Sequence, residues 1–202
     1  MQHLPISSSL LATLADSNPK GHRRMNLRSL AWTVCIGLFA LASTGWAQLK
    51  WIPEKDRVQA KMVGDFKTAD GRKVSLHDLK STLVLLNFWA TWCEYCKEEM
   101  PSLTELSKKF SPQDLLVIAA TNEDPKAVRR FLQGKDFSYP IVLDLGDTLL
   151  DRFKVKTVPT TVVIDGQGRV AFRVDSVFKW DSPEVIAALE EFLKESKQAR
   201  TE

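Results

Sequence analysis

The sequence reads Trp92-Cys93-Glu94-Tyr95-Cys96 shortly after an apolar run, residues 83–89, that predicts a buried strand. The segment that follows, residues 97–110, has the apolar spacing of a helix. A helix that opens on these cysteines places a thiol beside unpaired backbone N–H groups and the positive end of the helix dipole. Such a position lowers the pKa of a thiol, and the thiolate is the reactive form. The stretch therefore predicts a redox-active dithiol, in which Cys96 displaces a mixed disulfide formed on Cys93.

The N-terminal 47 residues have the organisation of a secretory signal. Three arginines between residues 23 and 28 precede an apolar stretch, residues 30–42, and small residues then lead to a cleavage position after Ala47. The apolar stretch is shorter than the roughly 20 residues that span a bilayer, so an uncleaved membrane anchor is the weaker alternative. We expect an exported protein that is periplasmic or otherwise extracytoplasmic.

After a signal at residues 1–47, we expect a linker at 48–61 and a single domain at 62–198; Met25 is an alternative start of the chain. The chain has 28 Lys and Arg residues and 25 Asp and Glu residues. Four of the basic residues and one of the acidic residues lie in the signal, so the remainder has no net formal charge. No basic surplus favours nucleic acid as a partner, and we expect a monomer.

The number and spacing of the cysteines indicate a reactive role rather than a structural one. The chain has three cysteines, and Cys35 lies inside the apolar part of the signal, which leaves Cys93 and Cys96 in the domain. A disulfide between residues this close in sequence closes a very small loop and stabilises a fold little. His77 is the one histidine after the signal and is distant in sequence, so the two thiolates lack the partners of a zinc site. We expect no metal and no cofactor.

Strand and helix patterns alternate along the domain and predict an α/β fold with a mixed sheet and helices on both faces. Asp70-Gly71 is the turn signal of an N-terminal hairpin. Trp180 is expected to pack in the core. Further strands are predicted at residues 115–120, 139–144, 160–164 and 169–174, and further helices at residues 124–133, at 145–153 and from 181 onward. Asp124 is the expected N-cap of the first of these helices, with Pro125 at its first position.

Residues 87–101, NFWATWCEYCKEEMP, resemble the active-site segment of thioredoxin-fold proteins. They are most similar to the exported TlpA/ResA/CcmG branch of the AhpC/TSA-redoxin superfamily, and the resemblance extends over residues 60–195. Residues 158–160 match the cis-proline loop that faces the dithiol in this fold. Residues 124–144 match the additional helix and strand of TlpA-like domains. The resemblance implies a thioredoxin-like fold, a central mixed sheet flanked by helices, with an N-terminal hairpin and a central βα insert.

Two positions distinguish the chain from plain thioredoxins. Asn87 stands six residues before Cys93, where plain thioredoxins have a buried aspartate that handles the proton of the second cysteine. An amide cannot do this. Glu99 lies three residues after Cys96 and on the same helix face. ResA-like proteins carry glutamate there, which implies a proton-handling or pKa-tuning role; a solvated surface glutamate, as expected for Glu98, is the alternative.

The resemblance implies a thiol-disulfide oxidoreductase that reduces client proteins. Cys93 attacks the client disulfide, Cys96 resolves the mixed disulfide, and a membrane thiol-disulfide carrier then supplies electrons. The best-known task of such proteins is the reduction of apocytochrome c during cytochrome c maturation. The acidic Glu94 between the cysteines disfavours the thiolate, which favours a reductant. The client-binding residues are expected to be Trp92, Val158, Pro159 and Thr160.

Alternative functions remain open on the sequence alone. A dithiol oxidase or isomerase uses the same residues in the opposite direction. A peroxiredoxin shares the fold, but the Pro-x-x-x-Thr-x-x-Cys pattern of those enzymes is absent from the sequence. A copper-binding chaperone is a different class, in which the two thiolates hold Cu(I) and need no proton relay.

Overall fold

A computed structural model describes residues 49–199 of the chain; the signal predicted at residues 1–47 lies outside them. Within the described range no helix is long and apolar enough to cross a bilayer. The strands are β1 Asp65–Thr68, β2 Lys73–Ser75, β3 Leu83–Phe88, β4 Leu115–Thr121, β5 Ile141–Leu143, β6 Thr160–Ile164 and β7 Val170–Val174. The helices are α1 Glu94–Lys109, α2 Pro125–Leu132, α3 Thr148–Arg152 and α4 Pro183–Gln198, with short 3₁₀ turns at Glu54–Asp56 and Leu76–Asp78.

The seven strands form one mixed sheet in the order β2-β1-β5-β4-β3-β6-β7. The pairs β3–β4 and β4–β5 are parallel, and the other neighbours are antiparallel. All six residues of β3 are buried, since helices cover both faces of this inner strand, and its sequence accordingly reads as an apolar run. The predicted α/β fold, with its mixed sheet and N-terminal hairpin, is confirmed.

Alternate residues of β3 enter two hydrophobic cores on opposite faces of the sheet, because successive side chains of a strand point to opposite sides. Leu83 and Leu85 belong to the core that contains buried residues of α1, α2 and α4. Val84, Leu86 and Phe88 belong to the second core, which contains the buried residue of α3. The sheet is therefore held between helices on both sides.

The central insert consists of α2 and β5. Asp124 caps α2, since its carboxylate accepts hydrogen bonds from the backbone N–H groups of Lys126 and Ala127, and Pro125 occupies the first helical position. β5 then pairs with β4 on one side and with β1 on the other. The insert thus joins the N-terminal hairpin to the rest of the sheet.

Part of the segment predicted to be a linker, residues 48–61, packs on the domain. Leu49 is buried in the core. Trp51 stacks on Phe192 of α4, with ring centroids 4.1 Å apart and an angle of 17° between the ring planes. The segment carries large apolar side chains that are stabilised by burial, and for this reason it packs on the domain.

Backbone hydrogen bonds also join this N-terminal segment, residues 49–60, to the edge strand β7. The N–H of Ile52 donates to the carbonyl oxygen of Ala171 at 2.7 Å. The N–H of Val170 donates to the carbonyl oxygen of Val58 at 2.8 Å. The N-terminal segment is therefore a structural part of the domain rather than a free connection.

Candidate active site

The dithiol lies at the junction between the loop after β3 and the start of α1. Cys93 is the N-cap residue of α1, and its Sγ accepts a hydrogen bond from the N–H of Cys96 at 3.1 Å. The two cysteines are joined as a disulfide, with their Cα atoms 5.3 Å apart. The helix begins at Glu94, as expected for a helix that opens on the two cysteines, and Cys96 lies inside its first turn. The structure is that of the oxidised protein, with the sulfur of Cys93 at the positive end of the helix dipole.

The loop before β6 faces the dithiol. Its Val158–Pro159 peptide bond is cis, and the carbonyl oxygen of Val158 lies 3.6 Å from Sγ of Cys93. Thr160 is fully buried, and its hydroxyl donates to the carbonyl oxygen of Thr157 and to the carboxylate of Asp175, each at 2.8 Å. Val158 is therefore beside the dithiol, whereas the side chain of Thr160 supports the loop from within.

Two aromatic side chains are exposed beside the dithiol. Trp92 is 71% exposed and Tyr95 is 63% exposed, although large aromatic side chains are usually buried for most of their area. A groove of about 190 Å³ runs between Trp92 and the loop at Val158. Its lining also includes Trp89, Asn122 and Lys156. The surface around Cys93 thus combines exposed aromatic area with a groove that ends at the cis-proline loop.

Glu99 is buried on α1, with 1% of its surface exposed, whereas the neighbouring Glu98 is exposed. The surface-glutamate alternative is therefore wrong for Glu99. Its Oε1 accepts a hydrogen bond from the indole N–H of Trp180, and its Oε2 from the side-chain amide of Asn87 at 3.5 Å. Burial raises the pKa of Glu99 to about 7, against hydrogen bonds from Trp180, Asn87 and the N–H of Phe178, which lower it. Glu99 is therefore a buried carboxyl that changes charge near neutral pH.

Asn87, whose amide cannot transfer a proton, connects three elements. From β3 its amide donates to Glu99 on α1 and to the hydroxyl of Thr161 on β6, the latter at 2.9 Å. Trp180, expected only to pack, is fully buried and is also a hydrogen-bond donor to Glu99. No local pattern in the sequence indicates this second role.

Glu123 also belongs to the site, although no motif in the sequence predicts it. Its carboxylate accepts hydrogen bonds from the N–H of Thr91 at 2.5 Å and from the hydroxyl of Thr91 at 2.8 Å. Thr91 stands two residues before Cys93, so Glu123 holds the loop that presents the dithiol. β3 and β4 are parallel neighbours, and the segments that follow them meet at one edge of the sheet. An acidic residue just after β4 was the available signal.

The dithiol is the chemically reactive group of this site. Among residues 49–199 no cluster of three or more His, Cys, Asp and Glu side chains is arranged to hold a metal ion. A dithiol at a helix N-terminus, an exposed surface beside it and a buried carboxyl on the same helix provide what thiol-disulfide exchange requires: a nucleophile, a contact surface and a proton acceptor.

Comparisons with known proteins agree with this chemistry. The model of the AhpC/TSA family matches residues 59–173. The thiol-disulfide oxidoreductase ResA of Bacillus cereus is 31% identical over 155 residues, which cover 74% of this chain and 90% of that protein. The thioredoxin-like protein YneN of Bacillus subtilis is 36% identical over 147 residues, which cover 68% of this chain and 85% of that protein. Among solved structures, the pneumococcal exposed lipoprotein thioredoxin Etrx1 from Streptococcus pneumoniae is 25% identical, with a TM-score of 0.56 over 63% of this chain and 98% of that chain.

Proposed function

The chain belongs to the AhpC/TSA family and is a thiol-disulfide oxidoreductase of the ResA type, and from this premise we propose that it reduces disulfides of client proteins outside the cytoplasm. The observation that carries the proposal is the position of Cys93. Its sulfur lies at the start of α1, beside the cis-proline loop and next to an exposed aromatic surface. Only 5% of Cys93 is exposed in the oxidised protein, and this surface is where a protein disulfide would dock to reach its sulfur.

In the proposed reaction the thiolate of Cys93 attacks one sulfur of the client disulfide. A bond forms between Cys93 and the client, and the other client sulfur leaves as a thiolate that takes up a proton. The thiolate of Cys96 then attacks Sγ of Cys93, which forms the Cys93–Cys96 disulfide seen in the structure and releases the second client thiol. The client gains two electrons and two protons. The N–H of Cys96, 3.1 Å from Sγ of Cys93, stabilises the negative charge on that sulfur.

Glu99 is proposed to handle the proton of Cys96. The two residues are one helical turn apart on α1, and both are buried. A group with a pKa of about 7 is suited to proton transfer near neutral pH, because both of its protonation states are available there. The ionised carboxylate accepts the proton that Cys96 loses when it becomes the attacking thiolate.

The direction of electron flow is the part of the proposal that depends on the redox potential. The charge of Glu94 should disfavour the nearby thiolate only weakly, because Lys97 forms an ion pair with it at 2.6 Å and the carboxylate is exposed. The buried Glu99 disfavours a second negative charge nearby, and this favours a reductant. A potential near roughly −270 mV, measured against glutathione, would support reduction of clients, and one near roughly −120 mV would instead indicate an oxidase.

The client is proposed to bind across Trp92, the groove and the cis-proline loop. An extended client segment would pair with the backbone of Val158, the partly exposed residue of this loop, in the manner of an added strand. The exposed ring of Trp92 would supply apolar contact area on the other side of the dithiol. Thr160 is fully buried and pairs with Phe88 in the sheet, so it would support the loop from within rather than contact the client.

The cellular setting is proposed from the sequence and from the relatives. The signal pattern at residues 1–47 would direct the domain to the periplasm or another extracytoplasmic location. There a membrane thiol-disulfide carrier would return the oxidised protein to the dithiol state. Reduction of apocytochrome c is the task that we propose for it, and we expect the protein to act as a monomer.

Trapping of clients tests the proposal. In Cys96→Ala the mixed disulfide on Cys93 cannot be resolved, so client proteins should remain attached and appear as adducts on non-reducing gels. Cys93→Ala is the matched control and should form no adducts. Disulfide reduction by Cys93→Ser at the wild-type rate, or equal adducts in both alanine variants, would contradict the mechanism.

A further inference from the structure

Trp180 lies in the segment between β7 and α4, outside the active-site helix, and is completely buried. Its ring stands at 90° to that of Phe172, with centroids 6.3 Å apart, and packs on Phe178 at 4.8 Å. These two rings fix the plane of the indole and with it the direction of the indole N–H. That N–H donates to Oε1 of Glu99.

A second set of hydrogen bonds fastens the same segment to α1 beside Glu99. The backbone N–H of Trp180 donates to Oγ of Ser102 at 3.2 Å. The hydroxyl of Ser102 in turn donates to the backbone carbonyl oxygen of Glu99 at 2.8 Å. The position of the indole relative to the carboxyl group is therefore set at both the main chain and the side chain.

The chemistry of the indole determines what this contact does. An indole N–H donates a hydrogen bond and cannot accept one. Oε1 of Glu99 must therefore act as an acceptor toward Trp180, and the exchangeable proton of the carboxyl group belongs on Oε2. Oε2 accepts from the amide of Asn87 at 3.5 Å, a long contact, and the same amide makes a shorter hydrogen bond to Thr161 at 2.9 Å.

We propose that Trp180 is a positioning residue for thiol-disulfide exchange: its N–H holds Oε1 of Glu99 and directs the exchangeable proton to Oε2. This inference rests on the proton-handling role proposed for Glu99. Because the hydrogen bond favours the ionised carboxylate, Trp180 also opposes the effect of burial on the pKa of Glu99. Tyr139 is a titratable neighbour whose pKa is raised by burial and further by the charge of Glu99.

The variant Trp180→Phe tests the inference, since it keeps an aromatic ring and removes the N–H. The pKa of Glu99, followed by carboxyl ¹³C NMR of the oxidised protein, should rise by about one unit, a tenfold change in proton affinity. Trp89→Phe is the matched control. Trp89 is 2% exposed, and within the described residues its buried Nε1 has no hydrogen-bond partner, so its loss should not change the pKa of Glu99. An unchanged pKa in Trp180→Phe, or an equal rise in both variants, would overturn the inference.

A measurement on the wild-type protein does not depend on whether the variant folds. The indole N–H resonance of Trp180 should shift with a midpoint near pH 7, as Glu99 titrates, and that of Trp89 should not. A Trp180 resonance that does not respond across this range would refute the contact.

Kinetics separate this inference from the proposed function. In Trp180→Phe the pH profile of client reduction should shift to higher pH by about one unit, as the pKa of Glu99 does. A profile that stays in place while the pKa moves would overturn the role of Trp180 in the reaction, although trapping by Cys96→Ala would still support a reductase. If the proposed function is wrong, the wild-type protein will not reduce clients and Cys96→Ala will not trap them, although both keep Trp180.

Discussion

The contribution of Glu99 to the stability of the protein should fall with rising pH, because this carboxyl is buried. Burial raises the pKa of this carboxyl from 4.5 to about 7 in the folded state. Below pH 4.5 it is protonated in both the folded and the unfolded chain, so the stabilising contribution of the neutral carboxyl is fully present. Between pH 4.5 and about 7 the unfolded chain releases the proton while the folded protein keeps it, and stability is lost across this window.

The size of the expected loss of stability follows from the shift in the pKa of Glu99. The two pKa values differ by about 2.5 units, and each unit corresponds to about 1.4 kcal/mol, so the loss amounts to about 3 kcal/mol once the pH exceeds 7. Glu99→Gln removes the ionisable group and keeps an oxygen that accepts from Trp180. The unfolding free energy of the variant, minus that of wild type, should therefore increase by about 3 kcal/mol from pH 4.5 to above pH 7.

Urea denaturation of the two oxidised proteins, at pH values from about 4 to about 8, measures this difference directly. Any pH-independent effect of the new glutamine amide on stability cancels, since the test uses only the change of the free-energy difference with pH. Glu98→Gln is the control on the same helix, and because Glu98 is exposed its difference from wild type should stay flat. A flat or falling difference for Glu99→Gln would refute the reasoning that Glu99 is buried in its neutral form.

Three further substitutions test the structure, each by urea denaturation. Glu123→Ala removes the acceptor of the Thr91 N–H and should cost about 1–3 kcal/mol; unchanged stability would count against the contact. Trp51→Ala removes aromatic packing of the N-terminal segment and should cost about 2 kcal/mol, whereas Val58→Ala, at an exposed position, should cost almost nothing; equal losses would contradict the packing. Asp124→Ala removes the cap of α2 and should cost about 1 kcal/mol, and no loss would show that the cap is unimportant.

The parts of the molecule that the sequence predicts are those determined by local patterns. The apolar run of β3, the cap at Asp124 and the turn at Asp70-Gly71 each depend on residues a few positions apart, and the structure contains all three features. Cys93 and Cys96 are recognisable for the same reason. The prediction that α1 opens on the two cysteines is confirmed, since Cys93 is its N-cap residue.

The contacts that the sequence does not predict join residues far apart in the chain. Trp180 and Glu99 are separated by 81 residues, and their hydrogen bond depends on how the segment after β7 returns to α1. Glu123 reaches Thr91 across 32 residues because two parallel strands end at the same edge. The sequence does not predict the packing of the N-terminal segment, because its partner, α4, lies at the other end of the chain. Its many charged residues give no sign of that contact.

The hydrogen bonds between the N-terminal segment and β7 have a consequence for how copies of the protein behave together. A strand at the edge of a sheet exposes unpaired backbone groups, on which another chain can add a strand and begin to aggregate. At β7, Ile52 and Val58 already occupy such groups, and the opposite edge strand, β2, has only three residues. The expected cleavage position after Ala47 leaves this protection in place. A cut beyond Val58 would remove it and expose the backbone groups of β7 to neighbouring copies.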